Sequence, residues 1–329
     1  MRILVTGGNG FIGSHLTELL LEQQHSVTIV DDLSTGQKSN LDHLLSHPNL
    51  NVVHADLGNA DLIGKVCAEV DVVYHLAAAV GVALIAKHPI QTIHRNIYPT
   101  QLLLEEIRRI HLTGRPISLF LASTSEVYGK NPKSIWNEND DLVFGSTTKP
   151  RWSYGASKAI DEFLALACVR ENAMKVVIGR FFNVVGPRQS GAYGMVLPRF
   201  IQAAMAGKPL IVHDDGKQER CFAHVSDVVG AVVGLMNTPG SFGRIYNIGA
   251  DTPISILEMA KRVIAIVNPA CEIQFQSYSE AYDDDFEDIR RRVPDLTRLK
   301  ETIPYRPSFE LDDMIRDVWQ ATAKSSVAT

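Results

Sequence analysis

The sequence lacks an excess of basic residues, since 32 Lys and Arg stand against 37 Asp and Glu, a formal net charge of −5. General nucleic-acid binding and attachment to anionic membranes both depend on a basic surface, so neither is expected. No apolar run is long enough to span a bilayer, and MRILVTGG begins a strand rather than a charged leader. We therefore expect a cytosolic protein with no membrane or nucleic-acid partner, in which an anionic ligand needs a local site.

Cysteine is also sparse and scattered. The chain has only four, at Cys67, Cys168, Cys221 and Cys271. Neither these nor the eleven histidines form a cluster with metal-ligand spacing. We expect reduced thiols and no metal site.

Short apolar segments that alternate with helical patterns are abundant. RILVTGG, SVTIVDD, NVVHADL, DVVYHLA and ISLFLAS are rich in Val, Ile and Leu, with helix-length segments between most of them. Parallel strands need crossover connections, and strands buried on both faces have nearly continuous apolar runs. The pattern predicts an α/β fold, a Rossmann-type doubly wound parallel sheet with a smaller C-terminal α/β lobe.

The length of 329 residues favours two units rather than one. Residues 1–175 are expected to form the sheet domain, with its last strands added from about 176–185 and 225–250. Residues 186–329 are expected to form mainly the smaller lobe, interleaved with the first unit.

Three glycines follow the first strand in VTGGNGFIGSHL and open a helix: Gly7, Gly10 and Gly13. Glycines there allow a tight turn and let backbone N–H groups approach a pyrophosphate. Asp31 and Asp32 end the second strand, where a carboxylate can bind an adenosine ribose and repels a 2′-phosphate. These features predict NAD rather than NADP, with Asp56 close to the adenine amino group.

Tyr154 and Lys158 are four residues apart in RWSYGASKAIDEF, so they share one face of a helix. An ammonium group near a phenol stabilises the phenolate, which allows a tyrosine to act as a general base toward an alcohol. Tyr and Lys are common at this spacing, so the pair is informative only together with the other motifs.

Together with HLAAAV and FLASTSEVYG at two later strand ends, these motifs resemble those of the extended short-chain dehydrogenase/reductase superfamily. Within it the chain resembles the NAD-dependent nucleotide-sugar epimerases, dehydratases and decarboxylases over essentially its whole length. The resemblance implies that bound NAD+ oxidises the sugar at C4 and later returns the hydride. Tyr154 would remove the C4 hydroxyl proton, Lys158 would lower the pKa of Tyr154 and bind the nicotinamide ribose, and Thr124 would hydrogen-bond the same sugar oxygen.

The resemblance also implies a set of cofactor-binding residues, namely Gly7, Gly10, Phe11, Ile12, Gly13, Asp31, Asp32, Asp56, Leu57, Leu76, Ala77, Ala78, Asn96, Ser123, Tyr154 and Lys158. The implied substrate-binding residues are Ser125, Glu126, Asn183, Arg188, Leu197, Arg220 and Arg292. The expected catalytic residues are Thr124, Glu126, Tyr154, Lys158 and Arg220. Relatives commonly pair through the Tyr/Lys helix and the helix before it, so a homodimer is expected.

The residues after Thr124 distinguish the possible reactions. Where 4,6-dehydratases carry an Asp-Glu pair, this chain has Ser125 before Glu126, so a dehydratase would lack its acid. In 4-epimerases a small or hydroxyl residue usually replaces the glutamate. TSEVYG, KPRW and GKQERCF more closely resemble UDP-glucuronate decarboxylases, in which the C4 ketone makes the C5 carboxylate a β-keto acid that loses CO2.

We therefore expect a UDP-glucuronate decarboxylase that forms UDP-xylose or a 4-keto-pentose. Glu126 and Arg220 would orient the ring, manage the C5 proton and hold the charged groups, with Arg220 as the cation beside Glu126. A UDP-hexose or UDP-hexuronate 4-epimerase is the alternative, and an NAD-binding regulatory module is a third. For Tyr128, a role in a turn explains the sequence equally well.

Overall fold

Short strands and longer helices alternate along the chain. The computed structural model describes residues 1–79, 89–191, 195–278 and 289–327. Its strands, in chain order, are β1 (Arg2–Thr6), β2 (Ser26–Asp31), β3 (Leu50–His54), β4 (Val72–His75), β5 (Ser118–Thr124), β6 (Val176–Phe181), β7 (Val184–Val185), β8 (Leu210–His213), β9 (Glu219–Cys221), β10 (Ala223–His224), β11 (Arg244–Ile248), β12 (Pro253–Ser255), β13 (Ile273–Gln276) and β14 (Arg291–Arg292). Its described helices are α1 (Phe11–Glu22), α2 (Ala60–Cys67), α3 (Pro89–His111), α4 (Ser153–Asn172), α5 (Val196–Met205), α6 (Val225–Met236), α7 (Ile256–Val267), α8 (Thr297–Thr302) and α9 (Leu311–Val327). Short 3₁₀ turns cover Lys38–Asn40, Asp42–Leu44, Ser125–Tyr128, Pro150–Trp152 and Pro239–Ser241.

A seven-stranded sheet in the order β11-β6-β5-β4-β1-β2-β3 forms the larger unit. Every neighbouring pair in it is parallel. The predicted doubly wound parallel sheet is therefore confirmed. The strand order reverses between β1 and β4, and in such sheets ligands bind outside the carboxyl ends of the strands at this point.

Both faces of the sheet are buried, which explains the continuous apolar runs. In β1, Ile3 and Val5 pack into a core with α1 and α6, whereas Leu4 faces a second core with α2 and α3. Successive side chains of a strand point to opposite faces, so an apolar residue is needed at each position.

The smaller lobe has its own core and short strands. β8 pairs with β13, and β9 lies between β12 and β14. Apolar side chains of α5, α7 and α9 fill the core beneath them. None of the helices within the described ranges is long and apolar enough to cross a membrane.

Candidate active site

A cavity of about 910 Å³ opens beyond the carboxyl ends of the sheet strands and extends into the smaller lobe. The residues that directly follow β1, β2, β4 and β5 line one part of it, and residues of α5 and β9 line another. All of the predicted site residues except Asn96 belong to this lining. The topology thus brings together residues that are far apart in sequence.

The glycine turn after β1 is shaped as a dinucleotide cradle. Gly7 has φ of 72°, and a Cβ on it would lie 2.9 Å from the backbone nitrogen of Ala77. A Cβ on Gly13 would collide with the carbonyl oxygen of Gly7. The helix α1 begins after Gly10 with no side-chain cap on its first N–H groups. An uncapped helix start beside a close-packed turn suits a pyrophosphate, so the residues present fit NAD.

The two aspartates after β2 have different surroundings. Asp31 is buried, and its two carboxylate oxygens accept hydrogen bonds from the N–H groups of Asn9 (2.9 Å) and Leu33 (2.8 Å). Burial raises the pKa of Asp31, and these hydrogen bonds partly offset the effect. Asp32 is more exposed and lies 3.6 Å from Arg95. Asp31 therefore braces the glycine turn, and both aspartates line the cavity.

Asn96 differs from the other predicted cofactor residues. It is buried behind the cavity wall, where its side-chain oxygen accepts a hydrogen bond from the N–H of Ala79 (2.7 Å). Its amide group donates to the Ser157 hydroxyl (3.1 Å). Asn96 therefore supports the segment after β4 from behind, and its direct contact with the cofactor stays a prediction.

The stretch FLASTSEVYG forms the end of β5 and the 3₁₀ turn that follows. The Thr124 hydroxyl accepts a hydrogen bond from the N–H of Glu126 (3.2 Å) and so caps the turn. Ser125 and Glu126 line the cavity. Tyr128 does not, because its ring is fully buried and its hydroxyl donates to Asn247 (2.7 Å). Tyr128 is a core residue.

Glu126 lies between two arginines. One carboxylate oxygen is 2.6 Å from Nη1 of Arg151, and the other binds Nη1 of Arg292. These three side chains are between 8% and 14% exposed, so solvent screens the contacts weakly. Burial raises the pKa of Glu126, but the two guanidinium groups outweigh it and lower the pKa to about 2. Glu126 is therefore a carboxylate at neutral pH.

The cation beside Glu126 is not the one expected. Arg220 lines the cavity, but its described hydrogen bonds include one from Nη1 to the carbonyl oxygen of Glu219 (2.8 Å), and the arginines that bind Glu126 are Arg151 and Arg292. Sequence reasoning missed Arg151. Its signal was present in KPRW, three residues before Tyr154, where the motif was noted but the arginine was given no role.

Tyr154 and the Glu126 turn are packed without a gap. Gly155, the next residue of α4, is so close that a Cβ on it would lie 2.5 Å from the carbonyl oxygen of Glu126. Burial raises the pKa of Tyr154, the charge of Glu126 raises it further, and a hydrogen bond with Thr124 opposes them. That Lys158 lowers this pKa stays a prediction, and in the structure Nζ of Lys158 pairs with Asp161 at 2.7 Å.

Other predicted residues lie in the lining with partners of their own. Ser123 donates a hydrogen bond to Glu162 (2.5 Å), and Asn183 donates to the carbonyl oxygen of Cys221 (2.9 Å). The guanidinium of Arg188 binds Glu18 of α1 at 2.7 Å, so it joins the smaller lobe to the sheet domain. Among the described ranges of the chain, no three His, Cys, Asp or Glu side chains are grouped to hold a metal ion.

Comparison with known proteins yields consistent likenesses. The profile of the NAD dependent epimerase/dehydratase family matches residues 3–249. The chain is 37% identical to a UDP-N-acetyl-alpha-D-glucosaminuronate decarboxylase of Bacillus cytotoxicus over 97% of both chains. It is 35% identical to UDP-glucuronic acid decarboxylase 1 of Danio rerio, over 95% of this chain and 70% of that one.

Among solved structures, it resembles a UDP-glucuronic acid 4-epimerase from Bacillus cereus in complex with UDP-glucuronic acid and NAD. That likeness has a TM-score of 0.88 and 28% identity, and it covers 99% of this chain and 100% of the other.

Proposed function

We propose, on the premise that this chain belongs to the NAD dependent epimerase/dehydratase family, that it is a decarboxylase of a UDP-hexuronate. The two decarboxylase relatives act, by name, on UDP-N-acetyl-glucosaminuronate and UDP-glucuronate. Both are UDP-hexuronates, so each presents a sugar carboxylate at C5 and a hydroxyl at C4. This shared chemistry defines the proposed substrate class.

The contact of Glu126 with Arg151 and Arg292 carries the proposal. Two guanidinium groups, those of Arg151 and Arg292, line the cavity wall beside Tyr154 and contact the Glu126 carboxylate there. A partly buried positive charge attracts a sugar carboxylate and gives no comparable attraction to an uncharged hexose. The site therefore favours an acid sugar over a neutral one.

NAD is the cofactor, and when bound it accepts the hydride from C4. The glycine turn at Gly7 to Gly13 would hold its pyrophosphate, and Asp31 and Asp32 would hold its adenosine ribose. Tyr154 takes the C4 hydroxyl proton, and the Thr124 hydroxyl, which hydrogen-bonds Tyr154, positions that phenol.

The chemistry at C5 follows from the ketone at C4. The C5–carboxylate bond breaks, CO2 leaves, and the electron pair moves into an enolate on the C4 oxygen. A proton then adds at C5, and Tyr154 returns its proton to the C4 oxygen when the ketone is reduced, for which the bound cofactor would supply the hydride. Because its pKa is about 2, Glu126 is a poor proton donor at neutral pH, so its role is to hold the two arginines rather than to manage the C5 proton.

Product analysis tests the proposal. Purified protein would be incubated separately with UDP-glucuronate, UDP-N-acetyl-glucosaminuronate and UDP-glucose, and products would be identified by mass and NMR. We expect loss of CO2 from at least one hexuronate and none from UDP-glucose. A product of unchanged mass with an inverted C4 centre would replace the proposal with epimerisation. No product and no NADH absorbance with any substrate would favour a regulatory NAD-binding module.

A UDP-hexuronate 4-epimerase is the second candidate. The observation that favours it is the whole-chain likeness to the UDP-glucuronic acid 4-epimerase. The same positive charge would serve an epimerase by holding the carboxylate that a decarboxylase must release. The product mass separates the two reactions directly.

We further propose a cytosolic homodimer. The helices α3 and α4 pack against each other, and both carry large apolar side chains that are exposed: Ile90, Ile93, Tyr98, Ile160 and Phe163. Such a patch on paired helices suits a second copy of the chain. All four cysteines are free thiols, as is usual in the reducing cytosol. Sedimentation of the wild-type protein and of F163E tests the dimer, which the charge should weaken.

A further inference from the structure

Lys158 has a carboxylate partner on its own helix. Its ammonium donates a hydrogen bond to Oδ2 of Asp161 at 2.7 Å, one turn further along α4. The Lys158 side chain is 3% exposed and the Asp161 side chain is 0% exposed, so the two opposite charges are paired away from water. A buried pair of this kind is held firmly, because either charge alone would be costly.

The other ionisable groups around this pair are already engaged. His75, at the end of β4, hydrogen-bonds Thr6 (2.8 Å) and Thr100 (3.0 Å) through its two ring nitrogens. Burial and then the charge of Lys158 lower the pKa of His75 to about 3, so its ring is neutral.

Two further carboxylates face the same region. Glu162 follows Asp161 in α4 and forms a two-fold hydrogen-bonded pair with Arg180 of β6, at 2.9 and 2.7 Å. From the turn after β5, Glu126 is bound by Arg151 and Arg292. Asp161 is thus the carboxylate that balances Lys158, while the others balance arginines.

The charge balance bears on Tyr154, one turn before Lys158. The pKa of Tyr154 is raised by burial and then by Glu126, and Asp161 also contributes to the rise. A lysine that is paired with a carboxylate contributes little net field at the phenol.

We infer that Asp161 is a positioning residue that fixes the Lys158 ammonium and limits the positive charge that reaches Tyr154. The inference rests on the proposed role of Tyr154 as the base, and it extends the Y-x-x-x-K pair to a third member, three residues after the lysine.

The test is the ionisation of the phenol in the purified protein. Phenolate absorbance would be titrated in wild-type protein and in D161N, each corrected by the same protein carrying Y154F. We expect the phenolate midpoint to fall by about one pH unit in D161N, since an unpaired ammonium favours the phenolate. E171Q, which removes an exposed carboxylate at the end of the same helix, is the control and should leave the midpoint in place.

A second background decides whether Asp161 acts through Lys158. With K158M present, we expect a clearly smaller D161N shift, because only the direct effect of the Asp161 charge on the phenol is left. An equal shift in both backgrounds would mean that Asp161 acts on the phenol directly, and no shift in either would mean that it does not act on it. Both results overturn the inference.

Circular dichroism would establish that each protein is folded, and D161S replaces D161N if the latter is not. In the active enzyme, the acid limb of kcat/KM should move to lower pH by the same amount. The titration needs no substrate, so it remains valid whichever product the enzyme forms.

Discussion

The two sides of Tyr154 hold their buried charges in different ways. On the side of the turn after β5, which we call the strand side, the carboxylate of Glu126 contacts two arginines. On the helix side, one ammonium, Lys158, is paired with one carboxylate, Asp161. The described contacts thus give two cations to one carboxylate on the strand side, and one cation to one carboxylate on the helix side.

The two sides of Tyr154 therefore have different tasks, although the same sequence motifs predict both. The balanced pair lies inside α4, where it acts on the ionisation of the phenol. Glu126 and its two arginines lie in the cavity wall, where we propose that they act on substrate binding and on the release of CO2. Substrate choice and base strength therefore have separate residues, and the comparison can be tested by changing one side at a time.

Removal of the phenol between the two sides should have the largest effect. Y154F is expected to lower kcat by about a thousandfold, because the general base for the C4 hydroxyl is lost. The measurement is steady-state product formation together with NADH absorbance. Y128F is the matched control, since Tyr128 is buried against Asn247 and should lower stability rather than kcat. Equal losses of kcat in both variants would contradict the assignment.

Loss of the shared carboxylate on the strand side should come next. E126Q leaves Arg151 and Arg292 with no anion between them, so they repel each other and shift. CO2 release is expected to fall by about a hundredfold, as when one preorganised electrostatic contact is lost. Oxidation at C4 should continue, so NADH should accumulate when UDP-glucuronate is added. Undiminished CO2 release would show that Glu126 does not hold the arginines in a working position.

Acid should lower the unfolding free energy of wild-type protein more than that of E126Q. The folded-state pKa of Glu126, about 2, lies below the ordinary value of 4.5. A lowered pKa stabilises the fold above pH 4.5, and the contribution is lost as pH falls toward 2. Between neutral pH and pH about 3, wild-type protein should lose about 2 kcal/mol of unfolding free energy relative to E126Q. Denaturant titrations at the two pH values measure this difference, and a pH-independent gap would contradict it.

The smallest of the expected effects concerns ligand choice. R151M removes one of the two guanidinium charges in the cavity wall, so the preference for UDP-glucuronate over UDP-glucose should fall by about tenfold. Binding of the two nucleotides, measured by calorimetry, gives the ratio. R151K keeps the charge but loses the planar fork of donors, so it should restore only part of the preference. An unchanged ratio in R151M would mean that the sugar carboxylate of the substrate binds elsewhere in the cavity.

The features that can be predicted from the sequence are those formed by residues close together along the chain. The alternation of strands and helices, the glycine turn and the Tyr154–Lys158 spacing are local patterns, because the geometry of a strand or helix determines which side chains lie together. The Lys158–Asp161 pair is equally local, at i and i+3 of one helix, and could have been read from RWSYGASKAIDEF.

The contact of Arg292 with Glu126 could not be predicted in the same way. Arg292 is 166 residues away from Glu126 along the chain, and it reaches the site because β14 pairs with β9 in the smaller lobe. Arg220, its partner in that pairing, was the expected cation and carries the same charge. Choosing between two arginines on adjacent strands requires the direction of each side chain, and sequence alone does not define it.

The close approach of Gly155 to the carbonyl oxygen of Glu126 also limits how the enzyme can be redesigned. The base and the carboxylate are carried by two segments whose backbones are in close contact at Gly155, so a larger residue at that position would push the two segments apart. A substitution that displaces one segment displaces the other. New substrate specificity is therefore best sought at the arginines, whose side chains can be replaced while this backbone contact stays intact.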